Sequence, residues 1–222
     1  MTSIVNLLLK AKRNQIAMMA DRNYSISSKN DEKRLEDEGD YNNLLIDEFI
    51  DRHDENDKRY MSFLNVYYEK PDGGLVYVLF FQTPNDRKMN ADVISKVYPE
   101  LAQLEVDHVI FISEIPPNKR ALESVAQIDT INWEFFTYEE LVKNPTRCVY
   151  NSEHRILNQE EKDVFIAQIS KSGGSIRDIP VMTKNDMTGR WYGVKPGDVV
   201  EIIQASPADI AIERNLFYRI VR

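Results

Sequence analysis

The sequence predicts an α+β or α/β protein of two units. Residues 1–144 read as an α/β domain with a mostly central sheet and flanking helices, and residues 145–222 as a small α+β domain. Three observations carry this expectation. Strand-like and helix-like periods alternate through the middle of the chain, the pattern that packs helices on a sheet with some parallel pairing. The charge is uneven: residues 1–150 hold 18 Lys and Arg against 26 Asp and Glu, and residues 151–222 hold 10 of each, so the whole net charge of −8 lies in the first part. A polar passage, "LVKNPTRCVYNSEHRI", lies between the two patterns.

The elements follow in order. Residues 4–21 make an amphipathic helix, with Val5, Leu8, Leu9, Ala11, Ile16 and Met19 on one side. "SSKNDEKRLEDEGD", residues 27–40, is charged and reads as a solvated loop or insert. "YNNLLIDEFIDRH" is a second amphipathic helix with Leu45, Ile46 and Phe49 toward the core. "MSFLNVYYEK" and "LVYVLFFQT" are strands joined by a turn at Pro71-Asp72-Gly73-Gly74. "ADVISKVYPELAQLEV" returns to helical spacing, "HVIFISE" is a short buried strand, "PPNKRALESVAQI" is a helix with proline near its start, and "INWEFFTY" is a strand.

In the second unit, Asn158 and Glu161 form a capping box ahead of "QEEKDVFIAQISK", and Gly173 and Gly174 stop that helix. Asp186 caps a short helix, "MTGRWY", which Gly193 ends in the left-handed conformation. Lys195-Pro196-Gly197-Asp198 has the chemistry of a type II turn and opens a hairpin. "VVEII" and "NLFYRIVR" are the last strands, separated by a loop around Pro207.

These elements carry no familiar catalytic pattern. No G-x-x-x-x-G-K-S/T, G-x-G-x-x-G or G-x-S-x-G occurs, and His53, His108 and His154 lack ligand spacing. His108 reads as a satisfied core-edge histidine, and His154 as part of a polar network with Glu153 and Arg155. A nuclease-like reading would use Asp72 with a later carboxylate and lysine. Gln82 and Pro84 occupy those places, and a neutral amide does not supply the charge that hard cations need. No catalytic residue, metal, cofactor or small-molecule ligand is therefore expected. Cys148 is the single cysteine, so no intrachain disulfide forms. The apolar start is broken by Lys10, Lys12 and Arg13, and neither a signal peptide nor a membrane span is expected. The acidic balance argues against a surface that grips nucleic acid throughout.

"EHRILNQEEKDVF", "IPVMTKNDMTGRWYGVKPGDVVEII" and "FYRIV", in this order and spacing, resemble the fifth-largest subunit shared by the eukaryotic nuclear RNA polymerases, and its shorter counterpart in the archaeal RNA polymerase. "MMADRNYSIS", "KVYPELAQLEVDHVIFISE" and "IPPNKRAL" extend the resemblance to the eukaryotic form toward the N-terminus. The chain departs from the pattern at Met187, at Val181, in "SPADIAIERN", and in the charged run 27–40. Those departures imply a divergent branch, such as one from a large DNA virus.

The resemblance implies a jaw-type N-terminal domain and a C-terminal assembly domain in a non-catalytic subunit of a DNA-directed RNA polymerase. It implies docking on the largest subunit, contact with other subunits, and weak, sequence-independent contact with downstream duplex DNA. The DNA-proximal residues implied are Pro117, Asn118, Lys119 and Arg120. The partner interface draws on Glu153, His154, Arg155, Arg190, Trp191, Tyr192, Gly193, Pro196, Gly197, Asp198, Tyr218 and Arg219, with Arg190-Trp191-Tyr192 as exposed anchors beside a rigid turn. The competing reading of Trp191 and Tyr192 is that they fill the small core. The alternatives are a free-standing interaction protein of the same fold and a nuclease-like enzyme. The implied location is the nucleus in a cellular source, or the cytoplasm or virion for a large DNA virus.

Overall fold

"HVIFIS" has no polar alternation because it runs through the middle of a sheet with both faces covered. In the computed structural model, which describes residues 4–30, 43, 46, 47, 64–81, 91–147, 152–204 and 215–222, it is a strand buried along its whole length. The chain divides into two units, Met1–Lys143 and Asn144–Arg222.

The first unit begins with α1 (Ile4–Asp21). It continues through β1 (Ser25–Ile26), β2 (Val66–Glu69), β3 (Leu75–Phe81), α2 (Ala91–Gln103) and β4 (His108–Ser113). It closes with α3 (Lys119–Val125), β5 (Asn132–Thr137) and α4 (Tyr138–Leu141). The sheet order is β1-β2-β3-β4-β5. β1–β2 and β2–β3 pair antiparallel, and β3–β4 and β4–β5 pair parallel, with α2 and α3 in the crossovers. Leu79, Ile94, Phe111, Ala121 and Val125 form one core layer, and Leu75, Leu101, Val106, Val109 and Ile131 another.

Several local readings change. Of the run 27–40, residues 27–30 are solvated only in part: Ser28 and Lys29 are exposed. Ser27 and Asn30 are buried, and Asn30 pairs with β2 through Nδ2 to Tyr67 O (2.8 Å) and Tyr67 N to Oδ1 (3.0 Å). An amide side chain here imitates a strand partner, which charge composition does not reveal. Residues 31–40 lie outside the described residues. So does most of the second helix, including Leu45 and Phe49; Ile46 is buried. Pro116 and Pro117 precede the N-cap of α3 rather than standing in its first turn. The cap is Asn118, whose Oδ1 accepts from Ala121 N at 2.8 Å. A capping box at Thr137 and Glu140 starts α4, an element the reading of "INWEFFTY" as a strand left out.

The second unit holds a 3-10 turn at Pro145–Arg147, β6 (Glu153–Ile156), α5 (Gln159–Lys171) and a second 3-10 turn at Ile176–Asp178. Then follow β7 (Val181–Met182), α6 (Met187–Tyr192), β8 (Val199–Gln204) and β9 (Asn215–Val221). The order is β6-β8-β9-β7. "EHRI", read as linker, is edge strand β6, antiparallel to β8. Its alternating polar and half-buried residues fit a strand with one wet face. Met182, Val200, Ile202 and Val221 make the small core.

Turn 195–198 has the expected geometry: Gly197 stands at φ 93°, and Asp198 N donates to Lys195 O at 3.0 Å. It does not connect a hairpin. It leads α6 into β8, and the far end of β9 holds it, Gly197 N donating to Val221 O and Val221 N to Asp198 O, both at 2.9 Å. No atom lies within 4 Å of where a Gly197 Cβ would be, so a side chain there would meet backbone strain and not a clash. Gly197→Val is expected to lower stability by about 1 kcal/mol or more. A thermal melt of the variant that superimposes on that of the parent would contradict this.

Candidate functional site

The β6-β8-β9 register lays the proposed interface residues out in rows. Arg155, Glu201 and Tyr218 lie directly across one another, as do Ile156, Val200 and Arg219, and His154, Ile202 and Phe217. Because side chains alternate between faces, Arg155 and Tyr218 share one face with Glu153, and His154 shares the other with Arg219. The set is thus divided between two surfaces.

On the first face, Glu201 is the hub. It accepts from Arg155 Nε at 2.9 Å and from the Tyr218 hydroxyl at 3.1 Å. Arg155 also reaches Glu161 at 2.6 Å, and Glu161 closes the capping box of α5 with Asn158. The hydrogen bond from Arg155, then that from Asn158 N, holds the Glu161 carboxyl below the usual range. Phe165 of α5 packs on the Tyr218 ring, centroids 4.1 Å apart. The expected network of His154, Arg155 and Glu153 is therefore replaced by one of Arg155, Glu201, Glu161 and Tyr218. His154 points to the other face because it is one residue along the strand. Glu201 was visible as the one carboxylate inside "VVEII".

On the second face, His154 Nδ1 lies 2.7 Å from Ser152 O, and its ring stacks with Tyr192 at 6.4 Å. Arg190 and Tyr192 are partly exposed, whereas Trp191 is buried at 1 % exposure. Trp191 is therefore core, because a six-residue helix capped by Asp186 and Gly193 turns one residue in three or four inward. Gly193 (φ 72°), Gly197 and Asp198 shape the backbone, with Asp198 Oδ2 accepting from Lys195 N at 2.6 Å, and Pro196 is exposed. The loop around Pro207, and Cys148, lie outside the described residues.

In the first unit, Lys119 and Arg120 are exposed at the start of α3, while Ala121 and Val125 face the core. Lys119 reaches Glu123 at 3.7 Å. That exposed pair is weak. Pro117 and Asn118 are half-buried beneath.

Two buried polar groups escaped sequence reading. Lys12, fully buried, donates to Gln15 Oε1 at 2.7 Å and Leu64 O at 2.8 Å, and burial draws its amine down to about 7. Arg22 holds Glu134 bidentately at 3.0 and 2.8 Å. His108 Nε2 is 2.9 Å from Glu134 Oε1, though not aligned as a hydrogen bond. Burial alone would raise the Glu134 carboxyl. Arg22 and then His108 outweigh it and hold the carboxyl well below the usual carboxylate range. Among the described residues no group of three potential metal ligands gathers, and these charges serve the fold.

Comparison with known proteins matches residues 143–221 to the model of the RNA polymerase Rpb5, C-terminal domain. The chain is 26% identical over 207 residues to DNA-directed RNA polymerases I, II, and III subunit rpabc1 of Dictyostelium discoideum, covering 91% of this chain and 92% of that one. It is 24% identical over 192 residues to DNA-directed RNA polymerase V subunit 5A of Arabidopsis thaliana, covering 86% and 79%. It is 22% identical over 215 residues to the subunit RPABC1 of Caenorhabditis briggsae, covering 96% and 95%. Residues 143–221 thus match the RNA polymerase Rpb5 C-terminal domain, in a chain similar along most of its length to subunit 5 of DNA-directed RNA polymerases.

Proposed function

We propose that this chain is a non-catalytic subunit of a multisubunit DNA-directed RNA polymerase. Its C-terminal unit docks on the largest subunit, and its N-terminal unit stands near downstream DNA. The observation that carries the reading is that the likeness to polymerase subunits spans both units, while the C-terminal one alone matches a family model. Arg190, Tyr192 and Pro196 then supply the exposed part of the docking surface, and Trp191, Gly193 and Gly197 hold it in shape. In a cellular source the subunit works in the nucleus; in a large DNA virus it works in the cytoplasm or the virion. Cross-linking mass spectrometry on polymerase isolated through a tag on this chain tests the docking. Links from exposed Lys195 to the largest subunit are expected; links to other proteins alone would refute it.

The DNA contact rests on Lys119 and Arg120, two exposed cations in an acidic unit. With two charges it is weak and blind to sequence, and it adds at most about 2 to the salt slope of binding. Lys119→Ala with Arg120→Ala is expected to leave the polymerase assembled and to lower photocrosslinking of downstream duplex to this helix. Unaltered crosslinking and salt dependence would make these residues a solvated helix start only.

A further inference from the structure

Among the described residues, the second sheet leaves most of one strand edge without a partner strand. β9 pairs with β8 along 215–220, yet its other neighbour, β7, reaches only Ile220 and Val221. The outward direction is set by two hydrogen bonds to the β7 side, Ile220 N to Pro180 O and Arg222 N to Met182 O, both at 3.0 Å. Backbone groups of a strand alternate in direction, so the N–H and C=O of Tyr218 and Leu216 also point away from β8. No described residue pairs with them there, because the chain before β7 turns off into the 3-10 turn Ile176–Asp178.

The side chains beside this edge are unusual for a free surface. Leu216 and Phe217 project to opposite faces, and they are 49% and 50% exposed. A groove of about 700 Å³ runs along the strand, lined by Phe165, Ile169, Ile179, Phe217, Tyr218 and Arg219 among others. The strand itself is firmly held: Tyr218 is fixed to Glu201 and stacked on Phe165. Asp178, also in the groove, has its carboxylate occupied by Ser175 N at 2.7 Å. Arg219 is exposed and makes no ion pair with a described residue. An open, apolar edge of this kind is an aggregation hazard unless something covers it.

From this geometry we infer that the edge of β9 at residues 215–219 receives an extended segment of the polymerase subunit on which this chain docks, added as a further strand. The inference rests on the docking reading above. Backbone bonds to Leu216 and Tyr218 supply affinity, and the groove lined by Leu216 and Phe217 selects apolar side chains. The segment carries a carboxylate where it passes Arg219, which no described residue pairs with. A strand laid here covers both half-exposed residues at once, which a helix docked on one face would not do.

Two measurements test this. Hydrogen exchange of the 215–219 fragment is compared between the free chain and the intact polymerase. Two amides, those of Leu216 and Tyr218, are expected to slow at least tenfold on assembly. Separately, Leu216→Pro removes an outward N–H without touching the β8 ladder, where an edge strand tolerates proline. It is expected to leave the free chain folded and to lower its incorporation into polymerase at least tenfold. Incorporation of the parent chain with unchanged exchange of both amides would overturn the strand addition and leave the docking reading standing. Failure of the parent chain to enter any polymerase would overturn both. Self-association of the free chain that Leu216→Pro abolishes would make the occupant a second copy, and would also overturn the inference.

Discussion

Replacing Trp191 by alanine is expected to destabilise the C-terminal unit severely. Trp191 is buried at 1 % exposure on α6, which packs against β6 and the 3-10 turn at Pro145–Arg147. Removing such a side chain from a core generally costs about 3–5 kcal/mol, because the cavity collapses only in part. A unit spanning Asn144–Arg222 has a total stability of roughly 4–12 kcal/mol at the usual value per residue. The loss is thus a large share of the whole. Trp191→Phe keeps most of the buried area and is expected to cost far less. Thermal unfolding followed by hydrogen exchange of fragments from 152–204 would show early, cooperative loss of protection in the alanine variant. Protection equal to the parent's would mean that Trp191 contributes little to this core.

The other large effect belongs to the first unit. Among the described residues, Arg22→Met leaves Glu134 with His108 alone for compensation, in a site where Arg22 itself is 7% exposed. Breaking a fully buried pair from one side costs about 3–5 kcal/mol, more than the pair contributes relative to an apolar replacement; the Glu134 side chain keeps 21% exposure, so the loss here is expected at or below the low end of that range. The double variant Arg22→Met, Glu134→Leu is therefore expected to recover much of the loss. The pair also has a pH signature. Glu134 titrates lower in the folded state than in the unfolded chain, so its contribution is full above the ordinary glutamate range and fades as pH falls below it. The parent's first unit should weaken on acidification more steeply than the double variant's. Parallel pH profiles for the two, with no penalty for Arg22→Met alone, would remove this role.

The parts legible in the sequence were those in which a side chain acts on its own backbone. Asn158 with Glu161, Asp186, Gly193 and Gly197 each declare a cap or turn within four residues, and each stands where its chemistry places it. The period change around β3 and β4 was legible because burial on both faces demands unbroken apolar runs. What escaped was set by partners distant in sequence. Asn30 looks like loop until Tyr67 lies beside it. Lys12 looks like a solvated break in an apolar helix until Leu64 O accepts from it. β6 has no apolar run, and only its pairing with β8 makes it a strand.

The site was legible in kind but not in arrangement. Trp191 and Tyr192 are adjacent in sequence, and a helix sends one inward and leaves the other partly out. His154 and Arg155 are adjacent on a strand, and alternation separates them onto two faces. The open edge of β9 could not be read from "NLFYRIV", because it depends on where β7 stops.

Membership in a transcribing complex is open to one direct measurement. The chain, tagged at its natural expression level, is purified from its source under native conditions, and the eluate is assayed for template-dependent RNA synthesis. Two very large polymerase subunits are expected in equal stoichiometry with the tagged chain, together with RNA synthesis that follows the chain through size-exclusion chromatography. Recovery of the chain alone, or with proteins that do not synthesise RNA, would contradict it.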